Sequence, residues 1–293
     1  MLPDAFTKQY LRQLEVLRLR ARRKFLGTRQ GAHRSLKRGH GIEFFDYRKY
    51  ELGDNPRHID WSLYARSERL YIKRFQEEQD ISLLLVLDAT ASMFTPASSK
   101  KWEYAVNVAL SLAYVAFYQQ DRVSLAVPGS CMTPYLRGSH ALQALARKVT
   151  GIEPSNAHNF SHDLRRAAAS VKQPGMAVYI SDFLMPLSEI EKLVRIILGR
   201  NLDTTFIQVL SAEEKKPLSN YSDVLLVDSE TDSQIDISLT PEVRSSYEQL
   251  FKKHQEQLIN FFRNRRLTFI SVDTSEALDA FMSQSLSAIG IVQ

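Results

Sequence analysis

The stretch "LLLVLDATASMF", Leu83–Phe94, decides the fold. Five apolar residues lead to one carboxylate, Asp88. Two hydroxyls, Thr90 and Ser92, follow at alternate positions. A continuous apolar run of this length reads as a strand buried on both faces, as in a parallel sheet covered by helices. In such open sheets, ligands gather at the carboxyl ends of the strands. A second run, "AVYISDFLM", places Asp182 after Ile180, with the Ser181 hydroxyl beside it. Spacing alone leaves two readings open. In one, Asp88 and Asp182 only cap backbone N–H groups of the helices that follow. In the other, the acids and hydroxyls share one hard divalent cation, which takes oxygen ligands.

Outward from this stretch, strand-like runs alternate with helix-like ones. Strands are predicted at Ile81–Leu87, Val123–Val127, Ala177–Ile180, Thr205–Leu210, Val224–Val227 and Leu267–Val272. Helices are predicted near Lys101–Tyr118, His140–Val149, Ser161–Val171, Pro186–Leu198, Pro241–Asn264 and Ser275–Ala288. The alternation argues for an α/β fold with a mostly parallel sheet and helices on both faces. "DVLLVDSETDSQIDI" breaks the pattern and reads as a hairpin at the sheet edge.

Toward the amino terminus, Phe6, Tyr10, Leu14 and Leu17 recur at helical spacing and predict a helix from Pro3 to about Phe25. A loop rich in Gly, Arg and His follows. The expected organisation is therefore a helix and basic loop over 1–40, a segment over 41–80 packed on the body, and the α/β domain over 81–293.

The chain has 293 residues, 44% of them hydrophobic and 24% charged, which places it among globular proteins. Its one cysteine, Cys131, excludes an intramolecular disulfide and favours a reducing compartment, the cytoplasm. The start of the chain has no apolar signal core. "YAVNVALSLAYVAFYQQ" (104–120) is too short for a membrane span and reads as a helix buried inside a domain. Residues 1–77 hold 18 Lys and Arg against 9 Asp and Glu, which is +9; the rest hold 20 against 24, which is −4. A basic arm of this kind suits an acidic partner, and nucleic acid is the alternative reading. Aromatic residues for base stacking are few among these charges.

Residues 41–80 alternate in sign among aromatic residues: Arg48, Asp54, Arg57, Asp60 and Arg66 lie among Tyr50, Trp61 and Tyr64. Such a pattern either staples the segment to the body by ion pairs or presents a docking face made by Arg48, Asp54, Arg57, Asp60, Trp61 and Arg66. No phosphate loop, dinucleotide fingerprint or G-x-S-x-G elbow occurs, and Cys131 has no adjacent base, so no enzyme is expected.

Two resemblances attach to these residues. "DATAS" resembles the D-x-S-x-S metal-ion-dependent adhesion site of von Willebrand factor A-like domains, with Thr90 in the first serine position, and "ISDF" resembles their later strand-end aspartate. The resemblance implies Mg²⁺ or Mn²⁺ held directly by Asp88, Thr90 and Ser92, with Asp182 acting through water. That family expects a threonine where "PSNAHNFSHDL" puts His158, followed by Asn159; imidazole is a poorer ligand for Mg²⁺. The same stretch offers a rival idea, zinc on His158, His162 and Asp163. The series from Arg48 and Tyr50 through Gly53, Asp54, Arg57, Ile59, Asp60, Trp61, Ala65 and Arg66, just before such a domain, resembles the domain-of-unknown-function fifty-eight family. This resemblance implies a non-enzymatic interaction adaptor that works with a MoxR-type AAA+ ATPase on other, client proteins.

Overall fold

The first helix is shorter than its sequence suggests. In the computed structural model, which describes residues 2–19, 43–76, 81–154, 160–171, 175–215, 223–227, 234–238 and 240–292, α1 spans Lys8–Val16. Thr7 caps it by accepting the Tyr10 N–H at 3.2 Å. Phe6, Tyr10 and Leu14 are buried. The Tyr10 hydroxyl lies 2.8 Å from Ser111 Oγ, and Tyr114 donates to Glu15 at 2.8 Å. The helix stops because Leu17 turns to extended backbone. That turn lets Leu19 bridge Val292 and donate its N–H to Gln119 at 3.0 Å. The predicted basic loop lies outside the described residues.

The chain divides into two compact units: Met1–Phe25 together with Ile81–Gln293, and Leu26–Asp80. The first helix thus belongs with the α/β unit, on which its apolar face packs. In the smaller unit, β1 (Glu43–Lys49), α2 (Trp61–Ser67) and β2 (Tyr71–Gln76) follow one another. The two strands pair antiparallel, and Ile59 bridges Ile72.

The larger unit continues with β3 (Ser82–Leu87), α3 (Lys101–Tyr118), β4 (Arg122–Val127), β5 (Cys131–Met132), β6 (Leu136–Arg137), α4 (Ala141–Val149) and α5 (Phe160–Ser170). After these come β7 (Gly175–Ser181), α6 (Leu187–Leu198), β8 (Asp203–Leu210), α7 (Ala212–Lys215), β9 (Asp223–Val227), β10 (Gln234–Ser238), α8 (Pro241–Asn264) and β11 (Thr268–Asp273). The sheet order is β11-β8-β7-β3-β4-β5, with β6 also on β4. The five long strands are parallel, and only β5 and β6 run antiparallel.

The central strand explains its own composition. Leu83, Leu85 and Leu87 pack with α3 and α4, while Leu84 and Val86 pack with α5, α6 and α8. Successive side chains point to opposite faces, and both faces are covered, so every position from Leu83 to Leu87 is apolar. The hairpin β9–β10 stands as its own two-stranded sheet. The predicted helix Ser275–Ala288 starts late, because Asp273 Oδ1 accepts from the Ser275 N–H at 2.9 Å and hydroxyl at 2.7 Å and holds a turn. Helix α9 (Leu278–Ala280) then runs through a π-helical stretch, Phe281–Ser285, into α10 (Leu286–Ala288). Among the described residues, no helix is long and apolar enough to cross a membrane. The apolar α3 is buried along almost its whole length.

Candidate functional site

The two strand-end acids sit on neighbouring strands. β3 and β7 pair in register with Leu87 opposite Ile180, and the Asp88 N–H extends that ladder to the Ile180 carbonyl at 2.9 Å. Asp88 is fully buried. Its Oδ1 accepts the Thr90 N–H at 2.9 Å, and its Oδ2 accepts the Ser181 hydroxyl at 2.7 Å. The Tyr179 hydroxyl is a longer neighbour at 3.5 Å. Burial, and then the nearby Asp182, push the Asp88 carboxyl up to about 6.

The chain next makes a tight 3₁₀ turn, Ala91–Phe94. Thr90 occupies its cap position without using its hydroxyl as a cap. That hydroxyl instead lies 3.1 Å from Ser92 Oγ. Thr90 is buried and Ser92 half-buried. Adjacent ligands of an octahedral Mg²⁺ at about 2.05 Å lie about 2.9 Å apart. The hydroxyl pair is therefore spaced as neighbouring ligands of one hard cation, beside a carboxylate of the right chemistry. On donor type, Asp88, Thr90 and Ser92 suit such an ion, and the 3.1 Å between the two hydroxyls, also a hydrogen-bond distance, is compatible with it.

Asp182 has a partner that the sequence reading did not name. Lys101, the first residue of α3, is 1% exposed, and its Nζ lies 3.2 Å from Asp182 Oδ2. The same ammonium pairs with Glu214 on α7. Glu214 is in turn held by Ser211, whose N–H donates to Oε2 at 2.9 Å. Burial raises the Glu214 carboxyl, opposed by the Lys101 charge. Gln208 on β8 donates to the Asp182 carbonyl at 2.8 Å, and its own Oε1 has no partner among the described residues. Phe183 takes a left-handed backbone, φ 52°. Its N–H donates to Ser181 Oγ at 3.1 Å, and its carbonyl lies 2.8 Å from the His254 ring nitrogen of α8. Those two contacts fix the turn that carries Asp182 out of the sheet.

A signal for Lys101 was present. It stands in helical register with Ala105, Val108 and Leu112, all buried, so a charge occupies the inward stripe of a buried helix. Glu214 gave no such signal, because "SAEEKK" reads as a solvated turn.

Other expected residues lie elsewhere or outside the described part of the chain. His158 and Asn159 lie outside the described residues. His162 is exposed on α5, 3.5 Å from Asp163, and Asp163 Oδ2 accepts the Gly129 N–H at 3.0 Å. Among the described residues, no group of three His, Cys, Asp or Glu side chains is placed to hold a metal; His158, one of the three zinc ligands expected from the sequence, lies outside them. In the smaller unit, Arg48 pairs with Asp54 at 2.7 Å and with Glu51 at 3.4 Å. The Glu51 N–H and then Arg48 hold the Asp54 carboxyl below its usual range. Asp60 is buried; it accepts the Ser62 and Leu63 N–H groups at 2.9 and 3.1 Å and the Tyr47 hydroxyl at 2.8 Å. Of the six residues expected on a docking face, Arg57, Trp61 and Arg66 are exposed, whereas Asp54 and Asp60 are spent on local structure.

Residues 46–257 match the family model DUF58, "Protein of unknown function DUF58". "Uncharacterized protein Rv1480" of Mycobacterium tuberculosis (strain ATCC 25618 / H37Rv) is 28% identical over 269 residues, covering 89% of this chain and 84% of that protein. "Uncharacterized protein Mb1516" of Mycobacterium bovis matches to the same extent. Among solved structures, an aerotolerance-related membrane protein of Bacteroides fragilis NCTC 9343 has a TM-score of 0.42 at 13% identity, over 71% of this chain and 99% of that one. BatB of Bacteroides thetaiotaomicron has a TM-score of 0.39 at 12% identity, over 71% and 98%. A von Willebrand factor type A protein of Catenulispora acidiphila has a TM-score of 0.32 at 12% identity, over 49% and 35%.

Proposed function

The chain belongs to the DUF58 family, and from that premise we propose that it is a non-enzymatic protein-interaction adaptor whose binding face is the carboxyl end of β3, β7 and β8. One observation carries the reading: the Asp88 carboxylate, with Thr90 and Ser92 hydroxyls 3.1 Å apart, lies at a parallel strand end. Asp88, Thr90 and Ser92 would hold Mg²⁺ or Mn²⁺ directly. When bound, such an ion supplies open coordination positions that take an acidic side chain of a partner protein. Asp88 orients the loop through the Thr90 N–H, and Ser181 holds the other carboxylate oxygen in place. Ser181 is fully buried and its hydroxyl is committed to Asp88, which suits a role in positioning that carboxylate. The partner in this reading is a MoxR-type AAA+ ATPase acting with a client protein in the cytoplasm.

The test pairs stability with capture. Asp88→Ala should stay folded, bind neither Mg²⁺ nor Mn²⁺ by calorimetry, and lose the ATPase in a pulldown. Chelator should have the same effect on the unmodified chain. A folded Asp88→Ala that still captures the ATPase, with or without chelator, would overturn the metal-dependent mechanism.

A further inference from the structure

Lys101 is placed against two general electrostatic preferences. Its ammonium is buried, which is costly without close counter-charges. It also opens an 18-residue helix, the end that disfavours cations. What compensates is the strand-end cluster itself: Asp182 Oδ2 at 3.2 Å and Glu214. Asp182 Oδ1 faces the Leu184 N–H at 3.3 Å, so Oδ2 is the oxygen committed to the lysine. Two buried or largely buried carboxylates thus share one positive charge, and the buried Asp88 carboxylate lies near one of them, Asp182.

We propose that the Lys101 ammonium is the resident cation of this site, neutralising Asp182 in the free protein and competing with a divalent ion for that carboxylate. This rests on the metal-binding reading of Asp88, Thr90 and Ser92. The Asp182 oxygen held by Lys101 is not free to support a cation at Asp88. Divalent binding therefore requires Asp182 to turn from Lys101, leaving the ammonium to Glu214. The lysine lets the cluster fold without metal and sets the divalent affinity low. The unpartnered Gln208 Oε1, on the side chain that anchors the Asp182 carbonyl, is a spare buried acceptor beside this exchange.

The experiment measures Mn²⁺ and Mg²⁺ binding by calorimetry, and melting temperature with each ion or with chelator. It uses the full chain, Lys101→Met, Lys101→Met/Asp182→Asn and Asp88→Ala. Lys101→Met should bind Mn²⁺ at least about tenfold more tightly than the unmodified chain, the scale on which one removed competing charge acts. Its melting temperature should fall in chelator and recover with Mn²⁺. The double variant should melt like the unmodified chain in chelator and lose the tightened binding. A folded Lys101→Met that binds no more tightly overturns the proposal. So does a Lys101→Met that stays unfolded with Mn²⁺ while the double variant folds. Two outcomes separate this proposal from the reading beneath it. If the unmodified chain binds at Asp88 and Lys101→Met binds no better, the adhesion reading stands and this one falls. If only Lys101→Met binds, and Asp88→Ala in that background abolishes it, this proposal stands and metal-dependent adhesion by the natural chain falls.

Discussion

The two compact units handle charge in opposite ways. In the smaller unit, Arg48 and Asp54 pair across six residues, with side chains 31% and 12% exposed. In the α/β unit, Lys101 reaches Asp182 across 81 residues and Glu214 across 113, with exposures of 0%, 2% and 10%. The local pair tightens a turn that water already supports. The distant set exists only once three strands and two helices have come together, and in that dry setting each charge depends on the others. Here the local charge pattern marks a structural turn, and the isolated charge in an apolar run marks a place where distant acids meet.

Three substitutions test this contrast. The largest effect should come from Asp88. Its carboxyl titrates near 6 in the folded chain against 3.8 for the ordinary group. The unfolded chain ionises first, so the folded state loses stability as pH rises from about 4 to about 6 and stays at that level above. The full shift corresponds to about 3 kcal/mol. Asp88→Asn does not titrate, so in chelator it should gain up to about 3 kcal/mol at pH 7 and little below pH 4. Denaturation curves across that range check this; a pH-independent difference would show that the carboxyl is not penalised.

Asp60 comes next. Removing it strips the cap of α2 and a partner of Tyr47, and Asp60→Ala should cost about 0.5–2 kcal/mol. Hydrogen exchange at the Ser62 and Leu63 amides should accelerate, with exchange in β3 and β7 unchanged. Spread of the acceleration into those strands would break the separation between the units. Arg48→Ala should do least. The Glu51 N–H still serves the Asp54 carboxylate, and half-exposed pairs contribute little. Its denaturation midpoint should match the unmodified chain. A clear loss of stability would mean that the arginine is more than a local brace.

Much of the fold was legible because it rests on local pattern. The run Leu83–Leu87 reads as a strand buried on two faces, and α3 and α8 begin and end where their periodicity does. Asp88 and Asp182 were legible as strand-end acids, since apolar runs point to them. Their cationic neighbour was harder to see. Lys101 is marked only by its register on α3, and nothing in the sequence says which acids it meets. The end of α1 escapes the local pattern for a related reason. Leu17 continues the helical spacing, but pairing between Leu19 and Val292 takes the chain out of helix. Contacts made far along the chain override local preference at both places.

That last pairing also orders events in time. Leu19 and Val292 are 273 positions apart (292 − 19). At a synthesis rate of about 5–20 residues per second, the partner arrives roughly 14–55 s after Leu19 is made. Helix α1 meets its partner α3 much earlier, through Tyr10 and Ser111. In synthesis, the residue that seats α1 thus becomes available long before the one that fastens the chain just beyond it.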